Sequence, residues 1–96
     1  MPIKSIVRSE SAGVFFGVVE NHDTANGTVE MTEARRIWYW SGAASLSQLA
    51  VEGTKRPQDC KFPVAVRRMV IAKVIEVIPC TSQAQRNLEE VPIWSA

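Results

Sequence analysis

The chain has 96 residues, 46% of them apolar and 22% charged. That length suits one hydrophobic core, so residues 1–96 are read as a single domain, and the composition argues against disorder. The formal net charge of +1 excludes a bulk polyanion trap but leaves room for a local basic patch.

In chain order, "IKSIVRS" (3–9) alternates loosely and reads as an opening strand, and "GVFFGVVE" (13–20) reads as a second. "NHDTANG" (21–27) gathers turn formers, and Asn26-Gly27 is the strongest hairpin signal in the chain. "TVEM" (28–31) is the return strand, and "RRIWYW" (35–40) is β-favouring by its aromatics and Ile37. Ser45 and Gln48 form a capping box that opens a helix of about two turns, with Leu46, Leu49 and Ala50 as its apolar stripe and Gly53 at its end. "TKRPQDCKFPV" (54–64) is an irregular loop. "RRMVIAKVIEVIPC" (67–80) reads as one long strand, apolar on both faces, and therefore central in the core or shared with another subunit. Ser82 and Gln85 suggest a second capping box before the helix "QAQRNLEE", and the apolar tail "VPIWSA" is expected to dock through Ile93 and Trp94. The expected fold is α+β: a small antiparallel sheet of four or five strands, a short central helix and a C-terminal helix.

The chemistry is sparse. His22 is the single histidine and falls in the expected turn, so neither a Ser-His-Asp nor a Cys-His set has a second candidate base. Cys60 and Cys80 show no metal-ligand spacing and read as reduced thiols. Glu89 and Glu90 are adjacent carboxylates on a helix surface. No catalytic residue, metal or cofactor is expected, and the chain is read as a non-enzyme. The first residues lack a secretory signal, and no run approaches a membrane span, so a cytoplasmic setting is expected.

The informative cluster is "ARRIWYWSGAASLSQLAVEG" (34–53). It concentrates three of the seven aromatic residues in succession behind two arginines. On a strand, Arg36, Trp38 and Trp40 share one face, and Arg35, Ile37 and Tyr39 share the other. One face is expected to be core. The other is expected to stack a flat group while arginine holds phosphate. Ser41, Ser45 and the helix start offer further anion donors, and Lys55, Arg56, Arg67 and Arg68 supply loop cations. Five positive side chains fall within residues 55–68, opposed only by Asp59.

The block "WYWSGAASLSQLA", with the "PQDCKF" loop and the "VIEVIP" strand, resembles a family of small phage and prophage proteins for which no reaction is established. The resemblance spans roughly residues 12–94 and implies action in the cytoplasm of an infected or lysogenic host cell. In general character the chain is similar to the Thoeris anti-defence sponges, small homo-oligomers that sequester a nucleotide signal. The leading expectation is thus a homo-oligomeric binder of a nucleotide-like anion, using Arg35, Arg36, Trp38, Tyr39, Trp40, Ser41, Ser45, Lys55, Arg56, Arg67 and Arg68. The alternative is an inhibitor that docks on a host defence protein, since Trp, Tyr and Arg are the residues most enriched in interface anchors. Nucleic acid is the less favoured partner.

Overall fold

A computed structural model describes residues 3–95; Ala96 of the expected tail lies outside them. The elements are β1 (Lys4–Ser9), β2 (Gly13–Asp23), β3 (Thr28–Arg36), α1 (Leu46–Glu52), a 3-10 turn (Pro57–Asp59), β4 (Val66–Ile71), β5 (Val74–Pro79) and α2 (Ser82–Glu89). The fold is α+β, and its five strands form one antiparallel sheet in the order β4-β3-β2-β1-β5.

That order dictates the sheet's shape. β4 and β5 are its two edges, yet only Ala72 and Lys73 separate them in sequence. Three Cα–Cα steps span at most about 11 Å, whereas the edges of a flat five-stranded sheet would lie about 19 Å apart. The sheet therefore curls until its edges approach at this end. The link is held there by the end of β1 and by the two neighbouring turns: Ser9 Oγ donates to the Ala72 carbonyl (2.7 Å), Glu10 N to that of Lys73 (2.9 Å), and Val74 N to that of Gly27 (2.8 Å). Lys73 takes a left-handed conformation at φ 54° to make the turn.

Curling gives the central strands two buried faces. Val7 and Phe15 point into the concave side with Val29, Met31, Ala34 and Ile71. Their neighbours Ile6 and Phe16 point the other way, against Leu49 and Ala50 of α1, Ala84 and Leu88 of α2, and Ile37, Phe62 and Val91. Burying each large apolar side chain stabilises the fold by about 1.5–3 kcal/mol. Between Phe16 and Val18 the β2–β3 register shifts, and a Cβ on Gly17 would stand 2.8 Å from the Glu33 carbonyl oxygen and 2.9 Å from Ala34 Cα. Only glycine admits β3 this close.

Three local expectations hold. The β2–β3 turn closes at Thr24–Gly27, shorter than the expected 21–27 because Asn21, His22 and Asp23 pair within β2, and Asp23 accepts from the amides of Ala25 and Asn26 (3.1 and 3.2 Å). Ser45 caps α1 by accepting from Gln48 N (3.2 Å), and Gly53 ends the helix. The tail docks on its own chain, with Trp94 N donating to the Phe62 carbonyl (3.0 Å).

Three others are corrected. The 67–80 run is two strands at opposite edges rather than one central strand; each carries apolar side chains on both faces, and Val70 and Ile75 are exposed. The return strand runs on through Arg36 and ends there, so "RRIWYW" is not a strand. Beyond Ile37 the backbone turns to Lys61: Trp38 N and Tyr39 N approach its carbonyl at 3.1 and 3.4 Å, and Lys61 N donates to that of Tyr39 (2.8 Å). Finally, α2 is capped by Thr81, whose Oγ1 accepts from Ala84 N (3.1 Å), not by Ser82. The Gln85 amide instead ties the helix to β1 by accepting from Lys4 N (3.1 Å) and donating to the Cys80 carbonyl (3.2 Å).

Candidate interaction surface

Where β3 ends, the two registers of the aromatic segment part. Ile37 enters the core, and Trp38 and Tyr39 are turned outward with 59% and 51% of their surface exposed. Trp94, brought alongside by the docked tail, stacks on Trp38 with ring centroids 5.0 Å apart and an interplanar angle of 10°. Lys61 lies over this group, its Nζ 5.0 Å from the centre of Trp38, 5.5 Å from Trp94 and 6.0 Å from Tyr39. A cation so placed is worth about 0.5–1 kcal/mol at an exposed site. The result is an exposed aromatic cluster, built on a stacked tryptophan pair, with a positive charge against it.

The face is braced from behind. Residues 54–63 form a strap whose first part runs along 38–42, with Lys55 N donating to the Gly42 carbonyl (3.2 Å) and Thr54 Oγ1 to that of Ser41. Ser41 N donates to buried Cys60 Sγ (3.4 Å). Asn87 of α2 holds the strap from below, accepting from Thr54 N (2.7 Å) and donating to its carbonyl (2.9 Å). The strap's outer side carries exposed Lys55 and Arg56.

The tail is anchored by Arg35. Its side chain is buried, 7% exposed, and donates to the carbonyls of Pro63 (3.2 Å), Phe62 (2.8 Å), Leu88 (3.4 Å), Val91 (2.9 Å) and Pro92 (3.4 Å). The guanidinium also lies over the Phe62 ring at 5.2 Å. Burial draws its pKa below the ordinary value. It thus joins the end of α2, the strap and the tail, satisfying the carbonyl oxygens that a helix C-terminus leaves open.

The expected ligand residues therefore separate. Trp38 and Tyr39 share the exposed face, with Lys55 and Arg56 on the adjoining strap. Arg35 is a structural clamp with its donors already engaged. Arg36 turns away, donating to the Ala12 carbonyl (2.6 Å) above the Phe15 ring. Trp40 is half-buried against the core. Ser41 spends its backbone on Cys60 and Thr54, and Ser45 spends its hydroxyl on the cap. The amide of Ala44 is taken by Gln48 Oε1 (2.8 Å), which leaves this seven-residue helix a poor anion cradle. Arg68 pairs with Glu30, and Arg67 is exposed on β4. Sequence reasoning did not assign Lys61 or Trp94 to the site, although the first lay in the basic run and the second in the apolar tail. Their convergence needs the strap and the tail to meet.

Two open recesses, of about 590 and 240 Å³, flank α2 instead; they share Lys4 and Glu89, an ion pair at 3.4 Å. Of the expected ligand residues only Arg35 lines either. Among the described residues no group of three or more His, Cys, Asp or Glu could hold a metal ion, and no helix is long and apolar enough to cross a membrane. His22 is exposed near the end of β2.

Cys80 follows β5, where burial pushes its thiol up to about 11. At about pH 8 it is expected to resist alkylation in the native protein and to react on unfolding, which pulse labelling and mass spectrometry would read. Because the folded-state value lies above the ordinary 9.0, the native state holds this proton more tightly. Its contribution to stability is present in full below about pH 9 and is lost as pH rises through about 11, so the urea midpoint of the wild type is expected to fall across that window by more than that of Cys80→Ser.

Fold and surface together define a small α+β domain with a curled antiparallel sheet and an exposed aromatic and cationic face. The chain belongs to the DUF6948 family, a domain of unknown function, which matches residues 3–88. The match takes in Trp38, Tyr39 and Lys61 and stops before Trp94. No curated protein and no solved structure matches the chain.

Proposed function

We propose that this protein is a non-enzymatic binding module that docks a protein partner through the Trp38, Tyr39, Lys61 and Trp94 face. The observation carrying this reading is that a stacked tryptophan pair, with a tyrosine beside it, is held in water by a braced scaffold. Monomeric domains seldom leave such a group unpartnered, and Trp and Tyr dominate the anchors of interfaces. The cations of the strap favour an acidic partner surface. The phage-type setting suggested by the "WYWSGAASLSQLA" block makes a host defence protein in the cytoplasm the partner class to test first.

The experiment is capture from host lysate by the immobilised protein, with Trp38→Ala and Lys61→Ala run in parallel. A partner is expected to be retained by the wild type and depleted about tenfold or more by Trp38→Ala, as for an anchor worth 2 kcal/mol or more. Equal retention by wild type and Trp38→Ala would overturn the assignment of the face.

One observation favours a second reading, a nucleotide-like anion held at the same place. Lys61 stands over aromatic rings, beside Lys55 and Arg56 on the strap, so a base could lie against the aromatic face with its phosphate among the lysines. Thermal unfolding against a panel of cyclic and linear nucleotides separates the two. At a hundredfold excess over Kd a ligand adds about 2.7 kcal/mol, a shift of about 10 °C or more for a domain this size.

A further inference from the structure

We infer that the free edge of β4 accepts an extended acidic segment of the partner as a sixth strand of the sheet, an inference that rests on the protein-docking reading. β4 is an edge strand: it pairs with β3 only, and among the described residues none of the backbone hydrogen bonds outside the strand ladders involves Val66–Ile71. Its outward amides and carbonyls are therefore open to another chain.

This edge is continuous with the aromatic face. The Phe62 carbonyl accepts from Trp94 N, Ile93 and Ala65 line one recess, and Val64 and Val66 flank Ala65. From there the exposed side chains continue along the outer face of β4. Arg68 lies opposite Thr32 and Val70 opposite Glu30, while Met69 and Ile71 point into the concave core. Val64, Ile93 and Val70 are 61%, 64% and 57% exposed. An apolar row beside an open strand edge suits strand addition, in which main-chain bonds supply affinity and alternate side chains supply selection.

Charge chooses the occupant. Arg67 and Arg68 are adjacent on β4, and Lys61 stands at the end of the same stretch. Glu30 engages Arg68, and Arg67 has no acidic side chain in ion-pair range among the described residues. A second copy added antiparallel would bring its own two arginines to this short edge, where facing like charges destabilise a pair. Val66, Arg68 and Val70 share one face of β4 and Arg67 lies on the other, so a segment alternating apolar and acidic residues meets Val66 and Val70 with its apolar side chains and the unpaired Arg67 with its carboxylates. The two arginines keep the edge from self-pairing, and Arg67 admits the acidic strand.

The probe is a synthetic peptide of alternating valine and glutamate about eight residues long, with a valine–lysine peptide of equal length beside it. Anisotropy measures affinity, and hydrogen exchange by NMR measures protection of the Val66–Ile71 amides. The acidic peptide is expected to bind, to protect the outward-facing β4 amides, and to bind about tenfold more weakly to Arg67→Glu at low salt. Arg67 is exposed, so this variant is expected to fold, and Arg67→Gln gives a milder second reading. Equal binding of the lysine peptide would overturn the charge selection. Binding without β4 protection would overturn strand addition, as would protection of the outward amides before any peptide is added, which would mark a second copy on the edge. If neither peptide binds while capture from lysate still depends on Trp38, the strand inference falls and the docking reading stands. Loss of that Trp38 dependence overturns the docking reading instead.

Discussion

Arg35→Ala is expected to destabilise the protein by about 3–5 kcal/mol, as for the loss of one partner from a buried charged network. Total stability for a domain of this length is about 5–14 kcal/mol, so the variant would be marginal at ambient temperature. One guanidinium serves five carbonyl oxygens, on the end of α2, the strap and the tail. Its removal takes the guanidinium donor from the Val91 carbonyl, leaves that of Phe62 with Trp94 N alone, and loosens the tail that carries Trp94. Arg35→Met keeps the apolar stem and isolates the hydrogen-bond part of the loss. Arg35→Lys is expected to recover less than half, because an ammonium presents its charge at one point and cannot fork between the strap and the helix end. Urea unfolding at a common m-value measures the stability, and tryptophan fluorescence reports whether the Trp38–Trp94 stack survives. A loss under about 1 kcal/mol would mean that water replaces the guanidinium and that the clamp carries little.

Gly42→Ala is expected to cost about 3 kcal/mol and to disturb the aromatic face at a distance. Gly42 lies at φ 84°, where an L side chain is strained, and its Cβ would stand 2.5 Å from Arg56 N, 2.6 Å from Thr54 Oγ1 and 2.7 Å from Lys55 N. Two of these atoms are backbone of the strap, which therefore has to move. The strap also carries Lys61, so the cation is expected to leave the rings and the tryptophan environment to change. Ala44→Ser, two residues on and exposed, is expected to stay within about 0.5 kcal/mol of wild type. Near-UV circular dichroism and urea midpoints for the pair would check both statements. An unchanged midpoint for Gly42→Ala would show that the strap yields at little cost.

The features legible in the sequence are those set by neighbouring residues. The Ser45 cap, the Asn26-Gly27 turn and the end of α1 at Gly53 each follow from chemistry within four positions, and all three appear in the fold. α2 is legible for the same reason, with the cap one residue earlier at Thr81. The tail's docking follows from the cost of leaving Ile93 and Trp94 in water, although Ile93 finds only a backbone bridge to Phe62 and stays exposed. The candidate face was half legible. The aromatic run marked Trp38 and Tyr39, but strand alternation assigned Trp40 to the same face as Trp38, and alternation ceased to apply where β3 ended.

By itself the sequence determined the α+β class, the hairpin, both helices and the presence of an aromatic and basic concentration, because hydrophobic period, capping and turn chemistry act over a few residues. Tertiary structure decided the rest. The break at Ala72 and Lys73 carries no Gly, Asn or Pro to mark a turn within a β-favouring run, and it is the curl of the sheet that sends β4 and β5 to opposite edges. Arg35 reads as a ligand residue until its acceptors are known, and these lie between 27 and 57 positions away in the chain. Whether an arginine binds a partner or clamps its own fold depends on which carbonyls the folded chain leaves unsatisfied beside it, and contacts at that separation leave no periodicity for a local reading to detect.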